Sequence, residues 1–356
     1  KANLYALFIA AKRFSGNSIF YFSKDAGPSF YSCLEMLSIS ENRAHPISTL
    51  PNGEINYREL EEELKRNIDG PPVICLNMGK GKGSIDNLKQ VLRILQQNSI
   101  TDYHIHYNAS TLALNSAFQK SGPKINFKEG IDSITLPAAE AMHCPLPGAV
   151  VLTRKKYLDA FTRRRKAQYV RALDTTIDGS RNGHIPLFLW FLVKIRGKRG
   201  FSREAERSLE VARFICDTLN QKGQLSYRVN DFSNVVILKE GPLEEVCFEV
   251  MPYLTKAQIA GFINSIVEEG QAVDERDITV SQPICFRASD SICKELVGWE
   301  EMLRDLAKRY FGFPVTNFNS SFKKGSRLGN SIFTPLGIED VKSHEQEVLK
   351  FFARLY

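Results

Sequence analysis

The chain has 356 residues, of which 43% are hydrophobic and 24% are charged, and its formal net charge is +7. These values are typical of an ordinary globular protein with ample material for a buried core. No run of about 18 apolar residues is present, so we do not expect a membrane span. The densest basic cluster, residues 163–166, has no interleaved aromatic residue and predicts a solvated helix face, so we expect no nucleic-acid partner.

The cysteines of the chain are odd in number, widely scattered and without a CxxC pair. This pattern predicts reduced thiols, and it argues against both a disulfide framework and a metal site. We therefore expect a reducing compartment, either the cytoplasm or the interior of an organelle.

In chain order, residues 1–14 have the pattern of an amphipathic helix, and no capping residue precedes it. We therefore expect that a preceding segment is missing. Short β-branched or aromatic runs and helical patterns then alternate up to about residue 190. Such alternation predicts a mostly parallel sheet with helices on its faces, and ligands of these folds gather at the carboxyl ends of the strands. The predicted strands are residues 19–22, 73–77, 103–107, 131–136 and 148–153, and the clearest helices are residues 57–68 and 85–98.

The second half of the chain has a different makeup. A long helix, a strand and a further helix predict a small α+β domain, at residues 202–223, 234–239 and 256–269. Beyond residue 270 we predict an amphipathic helix at residues 296–311 and a last helix at the end of the chain. We therefore divide the chain into a large domain (1–195), a small α+β domain (196–269) and a C-terminal extension (270–356), which we expect to be a new contact surface.

Several sequence motifs occur in a recognisable order and at matching intervals. They are YFSKD, LPNGEINY, NMGKGKGSIDN, HYNAS, GIDSI, CPLPG and DTTIDGSRNGHIPLFLW. Together they resemble the pyridoxal-phosphate-dependent group II amino-acid decarboxylases, in the branch of bacterial histidine decarboxylase and plant serine decarboxylase. The resemblance covers about residues 1–269 and implies a large domain of the fold-type I pyridoxal-phosphate transferase class, followed by a small α+β domain.

The resemblance also implies where the site residues lie. In the family, a lysine holds the cofactor as a Schiff base, an aspartate pairs with the pyridine nitrogen and a histidine stacks on the ring. The lysine position is occupied here by Glu140, and the family histidine before it by Ala139. The aspartate position is occupied by Asn108 and the stacking position by Gly27.

These departures motivate a negative prediction. A carboxylate has no amine with which to form an imine, and a neutral amide does not hold a ring nitrogen protonated as a carboxylate does. We therefore expect that the chain is not an enzyme, that pyridoxal phosphate is not bound and that no catalytic residue or metal remains. The residues expected to line a vestigial pocket are Lys80, Gly81, His106, Ser110 and His143.

The favoured hypothesis is a catalytically inactive pseudo-decarboxylase that serves as a structural or interaction subunit, either as a homodimer or in a heteromeric assembly. One alternative is an active or repurposed carboxy-lyase that acts on an amino acid, with Glu140, His143 and His106 as acid and base candidates. Another is a noncatalytic sensor in which Lys80 holds a phosphorylated ligand. Lys80 and Lys82 are the only lysines of the nearby motif that could replace the missing amine.

Overall fold

A computed structural model describes most of the chain up to residue 281. The predicted helices at 296–311 and at the end of the chain lie outside the described residues, as does the basic cluster at 163–166. The described residues are 1–66, 69–79, 81–110, 112–119, 122–162, 182–222, 226–240, 244–267 and 273–281.

The first part of the chain forms a six-stranded sheet with the order β2-β1-β3-β4-β5-β6. All neighbouring strands are parallel except β6, which runs antiparallel to β5 at the edge. This arrangement confirms the prediction of a mostly parallel sheet. The strands are β1 (Ile19–Ser23), β2 (Ala44–Ile47), β3 (Pro72–Met78), β4 (His104–Ala109), β5 (Ser133–Pro137) and β6 (Ala149–Thr153).

Helices cover both faces of this sheet. On one face, Tyr21 and Leu76 pack against apolar residues of α3 and α4, and on the other face Phe20 and Val73 pack against α1 and α2. Because both faces are covered, every residue of β1, β3 and β4 is buried, as expected for central parallel strands. The helices are α1 (Ala2–Arg13), α2 (Pro28–Met36), α3 (Tyr57–Arg66), α4 (Leu88–Gln97), α5 (Leu112–Phe118), α6 (Ala138–Met142) and α7 (Lys155–Thr162).

A smaller unit follows, in which two helices pack on a three-stranded antiparallel sheet of order β7-β8-β9. Gly197 interrupts the first helix with φ 53° and ψ −174°, two residues after the predicted domain boundary at 195, although the division into domains stays a prediction. The elements are α8 (His184–Lys222), β7 (Ser226–Val229), β8 (Val235–Glu240), β9 (Glu244–Glu249) and α9 (Lys256–Asn264). None of the described helices combines the length and the apolar character that crossing a bilayer requires.

The described start of the predicted extension is part of the core of this smaller unit. Val273, Ile278 and Val280 are buried among apolar residues of α8 and α9. Ser281 N donates a hydrogen bond of 2.7 Å to Glu210 Oε1 on α8. Residues 273–281 therefore contribute to the stability of the smaller unit.

The smaller unit also contacts the loops at the carboxyl edge of the large sheet. Arg228 Nη2 donates to Pro51 O at 2.7 Å, and Asn230 Nδ2 donates to Asn52 O at 2.7 Å and to Lys82 O at 2.9 Å. The edge at which ligands of parallel sheets bind is thus also the edge that the smaller unit contacts.

Candidate functional site

Most of the predicted site residues lie at the carboxyl edge of the large sheet. Asn108 lies near the end of β4, Ser110 follows that strand, and Glu140 lies on α6 directly after β5. Gly27 precedes α2, in the segment that follows β1. The fold therefore brings these positions to one edge, as their places after successive parallel strands predict.

The amide of Asn108 belongs to a chain of side-chain hydrogen bonds. Asn3 Nδ2 donates to Asn108 Oδ1 at 3.2 Å, and Thr135 Oγ1 donates to Asn3 Oδ1 at 2.6 Å. Asn108 and Thr135 are paired residues on the neighbouring strands β4 and β5. The first turn of α1 is therefore fixed to the carboxyl edge through Asn3.

Glu140 and Ala139 are exposed on α6, the short helix that connects β5 to β6. His143 ends this helix with φ 52°, and its ring lies edge-on to Tyr253 of the smaller unit, with 5.5 Å between the centroids. Burial and the nearby Arg196 guanidinium lower the pKa of His143 to about 4. Its imidazole is therefore neutral at neutral pH.

His106 lies inside β4, as the predicted strand at 103–107 implies, and is completely buried. Its Nδ1 lies 2.9 Å from Ser133 Oγ, which is also 2.9 Å from His104 Nε2. Burial lowers the pKa of each of these two histidines to about 3. The structure thus places His106 in the interior beside Ser133, whereas Glu140 is exposed at the edge.

The loop after β3 contains the remaining predicted pocket residues. Lys80 lies outside the described residues, and Gly81 has φ +57° with open space around the position of a Cβ atom. Lys82 Nζ lies 3.5 Å from Pro51 O, close to the contact with the smaller unit. Gly79 has φ +94°, and a Cβ atom there would collide with Ser110 Oγ and would lie 2.8 Å from Leu112 Cβ.

Replacing Gly79 with alanine is expected to lower the free energy of unfolding by about 2 to 4 kcal/mol, because strain at positive φ adds to overpacking. Gly81→Ala is the matched control: its φ is also positive but its surroundings are open, so we expect a loss of about 1 kcal/mol. Urea unfolding of both variants checks the difference. Equal losses would contradict the close approach of the β3 and β4 segments.

Comparison with curated proteins finds amino-acid decarboxylases that are about 30% identical to this chain. Histidine decarboxylase of Solanum lycopersicum is 30% identical over 300 residues, which are 80% of this chain and 71% of that protein. Serine decarboxylase 2 of Oryza sativa subsp. japonica is 30% identical over 285 residues, which are 76% of this chain and 59% of the relative. The chain thus spans little more than half the length of this rice relative. No protein-family model matches the chain.

Solved structures support the fold class. Mouse CSAD in its apo form has a TM-score of 0.55 at 15% identity, and the match covers 67% of this chain and 54% of that chain. Oryza sativa TDC, solved with PLP and tryptamine, has a TM-score of 0.56 at 14% identity, and this match also covers 67% of this chain and 54% of that chain. These likenesses, together with the mixed α/β architecture, confirm the predicted fold-type I class.

Two of the predictions are contradicted by these findings. The prediction that the chain is not an enzyme is wrong, because the relatives at about 30% identity are named as serine and histidine decarboxylases. The prediction that no cofactor is expected is also wrong, because the homologues are named as amino-acid decarboxylases and a structural neighbour, Oryza sativa TDC, was solved with PLP. Both predictions took the residues at positions 27, 108, 139 and 140 as sufficient evidence, although altered residue types do not by themselves demonstrate a lost activity.

The similarity to the tomato enzyme extends over 71% of the length of that enzyme. The chain therefore belongs to the pyridoxal-phosphate-dependent group II amino-acid decarboxylase family, in its serine and histidine decarboxylase branch.

Proposed function

We propose that this protein is a carboxy-lyase that acts on a polar amino acid. The observation that carries the proposal is the similarity to the tomato histidine decarboxylase over 71% of its length. Serine and histidine, the amino acids in the names of the relatives, are the first substrates to test. The shared part of the fold includes the carboxyl edge of the sheet, where substrates of such folds bind.

Two features of the carboxyl edge suit the binding of a pyridine ring. A Cβ atom at Gly27 or Gly81 would meet nothing within 4 Å, so there is room at these positions. Asn108 is only 6% exposed, and no described residue accepts a hydrogen bond from its Nδ2, which leaves a donor for a ring atom. When pyridoxal phosphate is bound, it supplies the electron sink that decarboxylation of an amino acid needs.

The side chain at position 140 does not suit covalent attachment of the cofactor, because a carboxylate has no nucleophilic nitrogen. The proposal therefore requires that the attaching amine comes from another lysine. The candidates are Lys82, which follows β3 at the same edge of the sheet, and Lys80, two positions before it in the sequence and outside the described residues. In the proposed site, Glu140 and the neutral imidazole of His143 would hold or move a proton at the exposed end of α6.

The proposal predicts release of carbon dioxide from carboxyl-labelled serine or histidine when the purified protein is supplied with pyridoxal phosphate. Borohydride reduction followed by peptide mapping should place a covalent adduct on Lys80 or Lys82. Lys80→Ala and Lys82→Ala form the matched pair, since only one of them should abolish both the adduct and the release. Lys24→Ala, after β1, is the control that should keep both.

Absence of release from both amino acids in all preparations would contradict the proposed activity. An adduct on a lysine remote from the carboxyl edge would contradict the proposed site, even if carbon dioxide were released. The two failures are distinguishable because the mapping does not depend on turnover.

We also propose that the protein works in an assembly, either a homodimer or a heteromer, in which residues 270–356 contribute contacts. Leu152 on the edge strand β6 and Val193 on α8 are exposed apolar side chains that a partner could cover. Truncation should begin after residue 281, because Val280 belongs to the core of the smaller unit. Light scattering should show that the full chain forms particles of two or more chains. The truncated chain should form particles with fewer chains.

For the compartment, we propose a reducing one. The cysteines Cys33, Cys75, Cys144 and Cys216 are free and buried, and Cys247 is exposed. Free thiols persist where thiol reductants keep them reduced.

A further inference from the structure

The α9 groove is a surface groove of the smaller unit that lies between α9 and residues 273–276. Its volume is about 560 Å³, within the range of roughly 300–1,000 Å³ that is typical of clefts that bind ligands. Three small residues on one face of α9, Ala257, Ala260 and Gly261, form its floor. The groove is remote from the carboxyl edge of the large sheet and serves no purpose in the proposed activity.

One wall of the α9 groove is held in place by a side chain of α9. Asn264 Nδ2 donates to Val273 O at 3.0 Å, and Val273 N donates to Asn264 Oδ1 at 2.7 Å, so both ends of the amide bind the same residue. Val273 is itself buried in the core of the smaller unit. The groove is therefore preformed, and an occupant does not have to open it.

Gly261 deepens the floor of the groove. Glycine inside a helix is less favourable than alanine, yet a Cβ atom at this position would meet nothing within 4 Å, so none of the described residues requires glycine there. A second helix that packs on α9 does benefit from small residues, because the distance between two helix axes depends on the side chains at their contact. The floor therefore suits a helix whose large apolar side chains fill the groove.

The rim of the groove carries a net negative charge. Asp274, Glu275 and Asp277 surround Arg276, and Arg276 Nη2 lies 2.9 Å from Asp274 Oδ2 in an exposed ion pair. After this pair is formed, the charges of Glu275 and Asp277 remain. The rim therefore attracts a segment that has basic side chains beside its apolar ones.

The chain itself contains a segment of this chemistry. The amphipathic helix predicted at residues 296–311 lies outside the described residues, and its sequence places large apolar side chains on one face. These side chains are Trp299, Leu303, Leu306 and Tyr310. In the second half of the segment, the basic residues Arg304, Lys308 and Arg309 outnumber the acidic Asp305, so this half is positively charged. Its size and its charge both complement the groove.

The connection to this segment is long enough to reach the groove. Ser281 is bound to Glu210 of α8 and follows Arg276 by five residues, so it lies at most about 18 Å from the rim. The next 14 residues, 282–295, can span up to about 46 Å. A segment on such a tether has an effective concentration on the order of millimolar, so even a shallow groove can retain it.

We propose that residues 296–311 dock in the α9 groove of their own chain, with the apolar face of the predicted helix on the small residues of α9 and its basic half at the acidic rim. This inference is independent of the proposed activity. It gives the extension a docking place on the smaller unit and leaves residues 312–356 for the contacts of the assembly.

Trp299 can report the docking in the full-length protein. The chain has two tryptophans, and the signal of Trp190 is measured in Trp299→Phe and subtracted. In the docked chain, acrylamide should quench Trp299 much less than in the urea-unfolded protein. Gly261→Gln fills the floor of the groove with a good helix former, so the quenching constant should rise towards the unfolded value while circular dichroism still reports a folded chain. Arg213→Gln, at an exposed position of α8 outside the groove, should leave the constant unchanged.

Glu275→Lys tests the charge of the rim without filling the groove. The new cation repels the basic half of the segment, so acrylamide should quench Trp299 more strongly than in the wild-type protein at low salt. This difference should shrink at about 1 M salt, where the Debye length is about 3 Å. Asp217→Lys makes the same change of charge at an exposed position of α8 outside the groove and should have no effect.

Three results would overturn the proposal. The first is a Trp299 that is quenched as strongly in the folded wild-type protein as in the unfolded chain. The second is a shielded Trp299 whose quenching constant is the same in Gly261→Gln, since another surface would then cover the segment. The third is shielding that disappears on dilution to single chains, as followed by light scattering, because the groove of another copy would then hold the segment. None of these measurements depends on carbon dioxide release, so they leave the carboxy-lyase proposal in place.

Discussion

Replacing Asp86 with alanine is expected to lower the free energy of unfolding by about 3 to 5 kcal/mol. The carboxylate is 1% exposed and accepts hydrogen bonds from Ile55 N at 2.7 Å and from Asn77 N at 2.6 Å. These amides belong to the segments that follow β2 and end β3, so one side chain joins two loops at the carboxyl edge. Its removal leaves two buried backbone donors without an acceptor and a cavity beside them.

Urea unfolding at neutral pH measures this loss. Asp86→Asn should have an intermediate effect, because the amide oxygen can accept from one of the two backbone donors while its NH₂ group faces the other. Asp231→Ala, at an exposed position, is the control and should change stability by less than about 0.5 kcal/mol. A loss below about 1 kcal/mol for Asp86→Ala would mean that other groups satisfy these amides.

The stability of the protein is expected to depend on pH through its buried histidines. Burial lowers the pKa of His104 and of His106 from 6.5 to about 3. Because the folded pKa is the lower one, the unfolded state binds more protons, and stability is lost as the pH falls from about 6.5 towards 3. Each histidine can contribute up to about 1.4 kcal/mol per pH unit in this window, which sums to at most roughly 5 kcal/mol over the window as a whole.

Asp86 acts in the opposite direction. Burial raises its pKa from 3.8 to about 7, so its contribution to stability is largest below pH 4 and is lost as the pH rises towards 7. The measured curve is therefore a sum of opposing contributions, and a single-residue comparison is needed to isolate one of them. His106→Gln provides this comparison, because glutamine does not titrate and can still form a hydrogen bond with Ser133 Oγ.

The pH slope of the unfolding free energy between about pH 4 and pH 6 should be smaller in His106→Gln than in the wild-type protein by up to about 1.4 kcal/mol per pH unit. His184→Gln, on the exposed start of α8, should leave the slope unchanged. Parallel slopes for His106→Gln and the wild-type protein would show that His106 is not held neutral in the interior.

Patterns in the sequence predicted the central strands well because those strands are apolar along their whole length. β1, β3 and β4 are buried at every residue, and their runs of β-branched and aromatic residues contrast with the polar turns around them. β2 was missed for a physical reason. It has only four residues, Ala44–Ile47, with a proline among them, and short edge strands that contain proline have no alternating apolar pattern.

The site was predictable to the extent that it depends on the order of strands. Asn108, Ser110 and Glu140 were expected together because they follow or end successive strands, and the fold places them at one edge. The contact of Asn3 with Asn108 joins residues 105 positions apart, and no local pattern encodes such a contact. The end of β4 was predicted less well, because the strand extends to Ala109, two residues beyond the predicted end at residue 107.

The reversal of direction between β5 and β6 has an evolutionary consequence. A connection between antiparallel neighbours stays at one end of the sheet, so α6 does not cross a face of the core as the connections between parallel strands do. Ala139 and Glu140 are exposed on this connection, and substitutions at such positions change folding stability little. Substitutions at positions 139 and 140 are therefore hardly filtered by their effect on the scaffold, so side chains of different chemistry can be sampled there without loss of the fold.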